Sequence, residues 1–323
     1  MNVSFVIIAH KSSGTLESCL ASVEKIATDH DELILVLNNS DLRTRAIAEK
    51  HARWKLIDEK NPGPAFARNA GARHVTKELV CFLDSDIGLN PGWHQMVERK
   101  FSNPWIVAGQ FKIEPQNDDS LLFILKRFQY LNFNARFLKN YARTVPMIDT
   151  ANLIIRRDWF LHLQGFNTDL RYLEDTDFSL RLLREGADLF FDSTHMVTEF
   201  TDSEETIWGY IFKQFEWYKY LPKVMKLHAM DFYFPNFSKA SADLNPPGIF
   251  LKASLALIKI IQLAGIACSP FPIYLSHQKA GRIARNKKKS LMMGTNPTVR
   301  SIWVNKEEKL YNILLRRWET KLR

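Results

Sequence analysis

Leu79-Val80-Cys81-Phe82-Leu83-Asp84-Ser85-Asp86 is an unbroken apolar run that ends in two aspartates one residue apart. Five apolar residues without alternation read as a strand covered on both faces, and therefore central in a largely parallel sheet. Carboxylates delivered to the C-terminal end of such a strand can hold Mg²⁺ or Mn²⁺, hard cations that take oxygen ligands and keep positions open for phosphate. The spacing alone decides little, because about one Asp-x-Asp is expected by chance in a chain of this length. This chain has three, at Asp29/Asp31, Asp84/Asp86 and Asp175/Asp177. Their positions separate them.

Upstream of this strand, apolar runs alternate with helical patterns, as βαβ units of a mainly parallel sheet require. Val3–Ala9 reads as the first strand, followed by a helix with Leu16, Cys19, Leu20, Val23 and Ala27 along one face. Leu33–Leu37 and Trp54–Ile57 are further strands flanking a helix at Thr44–His51. Asn61-Pro62-Gly63-Pro64 breaks the chain before a helix over Ala65–His74. Ligands of open parallel sheets bind outside the carboxyl ends of the strands. Asp84/Asp86 lies at such an end, whereas Asp29/Asp31 lies in the loop feeding the second strand, at the opposite edge. Gly88, Asn90, Pro91 and Gly92 predict that a turn follows Asp86.

Downstream, Trp105–Ile113 and Asn152–Arg156 read as strands, and Leu121–Leu138 and Asp158–Leu163 as helices. A helix from Asp175 to Glu185 is stopped by Gly186, so that Glu174, Asp175 and Asp177 stand at its N-terminus. Capping and the helix dipole alone favour acidic residues there.

The charge is unevenly distributed. Residues 1–200 hold 24 Lys+Arg against 26 Asp+Glu, and residues 201–323 hold 20 against 9, so the net +9 of the chain comes entirely from its last third. Thirteen basic residues fall between Lys279 and Arg323. Such a tail suits an anionic membrane surface, with a solvated tail as the plain alternative. A nucleic-acid partner is not expected, because the first 200 residues are near neutral. The three cysteines, Cys19, Cys81 and Cys268, form neither a disulfide framework nor a zinc pattern, and the start of the chain lacks the features of a signal peptide, so the expected setting is cytoplasmic.

Five segments in order carry a resemblance. They are Val3 to His10 with Cys19-Leu20-Ala21-Ser22-Val23; Leu37-Asn38-Asn39-Ser40-Asp41; Gly63-x-x-x-Ala67-Arg68-Asn69-x-Gly71; Asp84-Ser85-Asp86; and Gly165-Phe166 followed by Glu174-Asp175-x-Asp177-x-x-x-Arg181. Over roughly residues 3–200 the chain resembles the family 2 glycosyltransferases, inverting enzymes of the GT-A fold. The resemblance implies an α/β architecture over residues 1–200, a GT-A (Rossmann-like) mainly parallel sheet flanked by helices; residues 201–323, beyond its reach, read from their own pattern as a helical, basic extension. It implies a nucleotide-diphosphate sugar as donor, a UDP-sugar by preference, and a saccharide or lipid-linked acceptor in surface polysaccharide or glycolipid synthesis. Mn²⁺ or Mg²⁺ would be held by Asp84 and Asp86, with His195 or Glu199 completing the site. Ala9, His10, Asn38, Arg68, Asp84, Ser85 and Asn152 would line the donor. Asp175 would be the general base and Glu174 would orient the acceptor or its loop. The helix N-terminus is expected to keep Asp175 ionised at neutral pH. Many relatives have an aspartate contacting the nucleotide base where this chain has Asn38. A non-catalytic sugar-nucleotide or carbohydrate-binding protein of the same fold is the alternative.

Beyond Thr201, seven aromatic residues between Trp208 and Tyr220 crowd one helix that is expected to pack on the catalytic domain. Ile249–Leu275 is the most apolar segment, but Lys252, Lys259, Pro270 and Pro272 suit it to lying in a membrane interface better than to crossing it. Peripheral attachment to the cytoplasmic face of the membrane is the resulting expectation.

Overall fold

The computed structural model describes residues 1–116, 148–201, 206–228 and 260–261. Eight strands form one sheet in the order β3-β2-β1-β4-β7-β6-β8-β5. They are β1 Val3–Ala9, β2 Glu32–Asn38, β3 Lys55–Glu59, β4 Leu79–Asp84, β5 Ile87–Leu89, β6 Ile106–Pro115, β7 Asn152–Arg156 and β8 Asp188–Glu199. The first four strands are mutually parallel, β7 is antiparallel to both β4 and β6, β8 is parallel to β6, and β5 is antiparallel to β8. Only β7 and β5 therefore run against the rest. The sheet is mainly parallel, as expected.

The two-residue period of a strand divides each continuous apolar run between two cores. Val3, Phe5 and Ile7 of β1 and Leu79, Cys81 and Leu83 of β4 face one side, packed with Leu16, Leu20 and Val23 of α1 (Leu16–Ile26). Val6, Val80 and Phe82 face the other. That second core is covered by α3 (Pro64–Ala72) and includes Phe160 and Phe178 from the later helices α5 (Arg157–His162) and α6 (Glu174–Arg184). α2 (Leu42–Ala48) is capped by Asp41, which accepts from the Thr44 N–H, and α4 (Trp93–Phe101) buries Trp93, Val97 and Phe101 in the first core.

Helix α3 is built from small residues, and the reason is proximity to the sheet. A Cβ on Gly71 would stand 2.4 Å from Val6 Cγ1. Only glycine lets the helix lie this close, and the approach fixes the height of Arg68, one turn earlier, above the strand ends.

Asp29/Asp31 proves structural, at the N-terminal edge of the sheet. The Asp31 carboxylate accepts from the Val3 N–H at 2.8 Å and the Thr28 N–H at 2.8 Å, and meets His94 Nε2 at 3.0 Å. Burial opposes its ionisation, but His94 and the Thr28 and Val3 donors outweigh it and lower the pKa to about 2. The stability this contributes is complete above the unfolded value near 3.8 and is lost as the pH falls through about 2. Replacing Asp31 by Ala is expected to cost about 1–3 kcal/mol at pH 7. Urea titrations between pH 2 and pH 5 should show the acid-linked loss shrinking in the variant.

Two elements differ from expectation. The short strand β5 intervenes between Asp86 and the expected turn, which lies at Asn90–Gly92, where the Trp93 N–H bonds the Asn90 carbonyl. β8 spans twelve residues and was not legible as a strand. Helix α7 (Ile207–Leu227) lies beyond the expected boundary at residue 200, and it is tied back to the residues before it. His228 Nε2 meets Asp177 Oδ1 at 2.8 Å, Lys223 Nζ donates to the Asp169 carbonyl at 2.7 Å, and Tyr220 packs edge-on to Tyr172. Tyr210, Val224 and Met225 are buried, whereas Trp208 and Phe212 are 75% and 64% exposed, so the aromatic helix is only partly core. Among the described residues no helix is long and apolar enough to cross a membrane. The expected Leu121–Leu138 helix and, apart from residues 260–261, the apolar 249–275 segment and the basic tail lie outside the described residues.

Candidate active site

The carboxyl ends of β1, β2 and β4 converge. His10 Nδ1 contacts the Asn38 carbonyl at 2.7 Å, Ser40 Oγ donates to the Ala9 carbonyl at 2.7 Å, and Ser85 Oγ bonds Ser12 Oγ at 2.7 Å. Ala9, His10, Asn38, Ser85, Asp84 and Asp86 therefore share one rim of the sheet. The antiparallel β4–β7 pairing ends at Leu83↔Asn152 and is extended by a bond from the Asp84 N–H to the Ala151 carbonyl. That extension brings the residues just before β7 to the same rim.

Arg68 is the hub. It is buried, with Nη2 donating to Asp84 Oδ1 at 2.6 Å and Nη1 to Glu174 Oε1 at 2.7 Å. A planar guanidinium suits two carboxylates held at a fixed angle. Desolvation works against its charge, but Asp84 and Glu174 outweigh this and raise its pKa. These two bonds use one hydrogen on each terminal nitrogen of Arg68, and they tie the guanidinium first to the strand-end aspartate and to the acidic helix start. Next to it, Asn69 exchanges bonds with the backbone of Phe166, donating to its carbonyl at 2.8 Å and accepting from its N–H at 2.9 Å. Arg181 binds the same turn, donating to the Leu163 and Gly165 carbonyls, while its Nε meets Asp177 Oδ2 at 2.8 Å. The Ala-Arg-Asn and Glu-Asp segments are thus locked together through Gly165-Phe166.

Leu173, which precedes Glu174, has φ +64°, an unfavourable left-handed conformation for leucine. The turn sends Glu174 inward to Arg68, where it is buried, and leaves Asp175 half-buried at the first turn of α6. Asp175 Oδ1 accepts from the Thr176 N–H at 2.6 Å. Burial, followed by the charge of Glu174, pushes Asp175 up to about 7. The helix terminus favours the charged form, as expected, but desolvation among other carboxylates opposes it and sets the value near neutral pH.

Asp149 was not foreseen. Burial and then the charge of Asp175 raise it to about 7 as well, with Asp84 and Arg68 also acting on it. Its Oδ1 accepts from the Ala151 N–H at 2.8 Å, and the preceding Ile148 N–H is held by Ser179 of α6. Asp84, Asp149, Glu174 and Asp175 all interact with the single guanidinium of Arg68. The locality is rich in negative charge.

Asn152 and His195 have surroundings of their own. Asn152 is buried, and its amide both donates to the Phe111 carbonyl at 3.1 Å and accepts from the Phe111 N–H at 2.9 Å, bracketing β6. The backbone of His195 falls in the irregular part of β8 between Asp192 and Val197, at the end of the β5–β8 ladder remote from Asp86. Val197 pairs with Leu89, whereas the Asp86 carbonyl accepts from the Phe200 N–H at 2.7 Å, three residues or roughly 10 Å along the strand. Glu199, opposite Ile87, is the member of β8 adjacent to Asp86 in register.

A divalent cation fits the donor set. Asp84 and Asp86 offer only oxygen, both carboxylates are half-buried, and the neighbouring excess of negative charge favours a cation. Among the described residues no group of three or more His, Cys, Asp or Glu side chains forms a complete cage.

Solved structures of this architecture are GT-A glycosyltransferases. A mannosyltransferase from Pyrobaculum calidifontis, in complex with GDP-Man and Mn²⁺, is similar over 98% of this chain and 87% of its own, with a TM-score of 0.54 and 16% identity. S. aureus TarS 1-349 in complex with UDP-GlcNAc is similar over 83% and 74%, with a TM-score of 0.52 and 15% identity. Residues 4–163 match the family model described as Glycosyl transferase family 2, and this domain belongs to that family. An uncharacterized glycosyltransferase of Haemophilus influenzae is 27% identical over 191 residues, covering 57% of this chain and 62% of the relative. A poly-beta-1,6-N-acetyl-D-glucosamine synthase of Staphylococcus epidermidis is 27% identical over 133 residues, 40% of this chain and 32% of the relative. The chain thus spans less than two thirds of the length of these curated relatives.

Proposed function

We propose that this glycosyltransferase transfers a sugar with inversion from a nucleotide-diphosphate sugar to an acceptor hydroxyl, in the synthesis of a surface polysaccharide or glycolipid. The observation that carries the reading is the bridge Asp84–Arg68–Glu174, which joins the strand-end aspartates to the helix that begins with Glu174 and Asp175. Two kinds of carboxylate chemistry are needed on opposite sides of the anomeric carbon. Asp84 and Asp86 would hold Mn²⁺ or Mg²⁺, which supplies positive charge for the departing diphosphate. Asp175 would accept the acceptor's hydroxyl proton as its oxygen bonds to the anomeric carbon and the carbon–phosphate oxygen bond breaks. The nucleoside diphosphate leaves with that electron pair. Glu174, fixed by Arg68, would keep Asp175 and the acceptor side in line.

Nucleotide sugars in the solved relatives support the donor class, and the presence of both GDP-Man and UDP-GlcNAc among them leaves the base open. The Staphylococcus epidermidis synthase supports a polysaccharide product. Attachment to an anionic membrane surface through the basic last third remains part of the proposal, and equal recovery on vesicles with and without anionic lipid would contradict it.

Screening UDP- and GDP-sugars by calorimetry, with Mn²⁺, Mg²⁺ or chelator, tests the reading. Binding of at least one nucleotide sugar is expected to weaken by more than tenfold on chelation, and by a similar factor in Asp86→Ala. Metal-independent binding in both the wild type and this variant would refute the assignment of the aspartate pair.

A further inference from the structure

We infer that Asn38 is a positioning residue that builds the nucleotide side of the site by holding the 59–63 loop, and that it does not read the nucleotide base. The functional part of this inference rests on the nucleotide-sugar reading above. Asn38 ends β2 and is buried, at 7% exposure. Its Nδ2 donates to the Glu59 carbonyl at 2.9 Å and to the Asn61 carbonyl at 2.7 Å, and its Oδ1 accepts from the Gly63 N–H at 3.1 Å. Both amide hydrogens are therefore committed. The orientation is also fixed, because a flipped amide would set its oxygen against two carbonyl oxygens.

The loop needs this external support. Asn61-Pro62-Gly63-Pro64 contains two prolines, which have no N–H to donate, and Gly63 stands at φ +130°. Asn39, itself at φ +49°, adds a fourth bond by donating from Nδ2 to the Lys60 carbonyl at 2.9 Å. The Asn38 carbonyl meanwhile receives His10 Nδ1 at 2.7 Å, so one residue links the ends of β1, β2 and β3. The loop it holds leads straight into α3, whose N-cap is Gly63 and which carries Arg68. Asn38 acts on the centre of the site through this connection.

An aspartate at this position, common in the resembling family, has no hydrogen to donate. It would turn a negative charge toward the Glu59 and Asn61 carbonyls and retain only the Gly63 bond. Introducing it here should loosen the loop and should not sharpen base recognition.

The test has two arms on Asn38→Asp, with Asn38→Ala as a variant that removes the same donors without adding charge. In hydrogen exchange, the amides of Asn61 and Ala67 in both variants, and that of Gly63 in Asn38→Ala, should exchange about 10- to 100-fold faster while those of β1 and β4 keep their protection. In calorimetry with Mn²⁺, affinities for UDP and for GDP should fall together by about tenfold. Unchanged protection of the loop, or a tenfold change in the UDP-to-GDP ratio, would overturn the inference. If the wild type bound neither nucleotide, the donor reading would fail, while the exchange arm would still decide whether Asn38 holds the loop.

Discussion

Replacing Arg68 by methionine is expected to lower the unfolding free energy by about 3–5 kcal/mol, the typical cost of removing one partner from a buried ion pair. In a chain of this size that corresponds to a fall in Tm on the order of 10 °C. The guanidinium is 3% exposed and bonds Glu174, itself only 8% exposed, and the more open Asp84. Methionine leaves Glu174 buried with no cation against it, and Asp149 and Asp175 lose the positive charge that opposes their upward shifts. Arg68→Lys should fall between, because a single ammonium cannot reproduce the two-armed geometry. Adding Glu174→Gln to Arg68→Met should recover part of the loss, since the stranded charge is then gone. Urea titrations of the four proteins check this. A loss below about 1 kcal/mol in Arg68→Met would mean that water screens the pair as at a surface site.

What the sequence disclosed follows from which interactions are local. β1 to β4 and their helices were legible because each strand is a short apolar run bounded by turn residues, and because helical faces such as Leu16, Cys19, Leu20 and Val23 repeat cleanly. β5 was hidden, since three residues, Ile87–Leu89, become a strand only when β8 pairs with them. β8 was hidden by its polar centre, Asp192-Ser193-Thr194-His195, where the pairing with β6 is also irregular. The site was half legible for the same reason. Asp84, Asp86, Glu174 and Asp175 stood in motifs, but Asp149 joins them only because β7 runs antiparallel to β4, a direction that no local pattern in Asn152–Arg156 encodes. Arg68 and Asn38 were recognised as important and given ligand contacts. What the sequence does not show is that their side chains also contact Glu174 and the Asn61 carbonyl, partners 106 and 23 residues away.

Asp175→Asn is expected to lower turnover by about 10²–10⁴-fold while leaving nucleotide-sugar affinity within about threefold, as removal of a general base should. It should also stabilise the protein at pH 8. Asp175 and Asp149 have pKa values of about 7 in the folded chain against 3.8 as ordinary carboxylates. Between those values the folded state binds more protons than the unfolded state, so stability is complete below about pH 4 and declines as the pH rises through about 7. Above that pH the fold carries carboxylate charges that its surroundings disfavour, and Asp175→Asn removes one of them. The same shift governs rate: kcat/KM of the wild type should fall about tenfold per pH unit below pH 7, because only ionised Asp175 accepts the proton. Residual transfer by Asp175→Asn should lack that limb. Thermal melts at pH 5 and pH 8, together with pH–rate profiles, separate the possibilities. A variant that lost activity and also melted lower at pH 8 would identify Asp175 as a structural carboxylate, and one that kept turnover would remove the base from the mechanism. Loss of turnover with gained stability is the signature of a group held in an unfavourable state because the reaction needs it there.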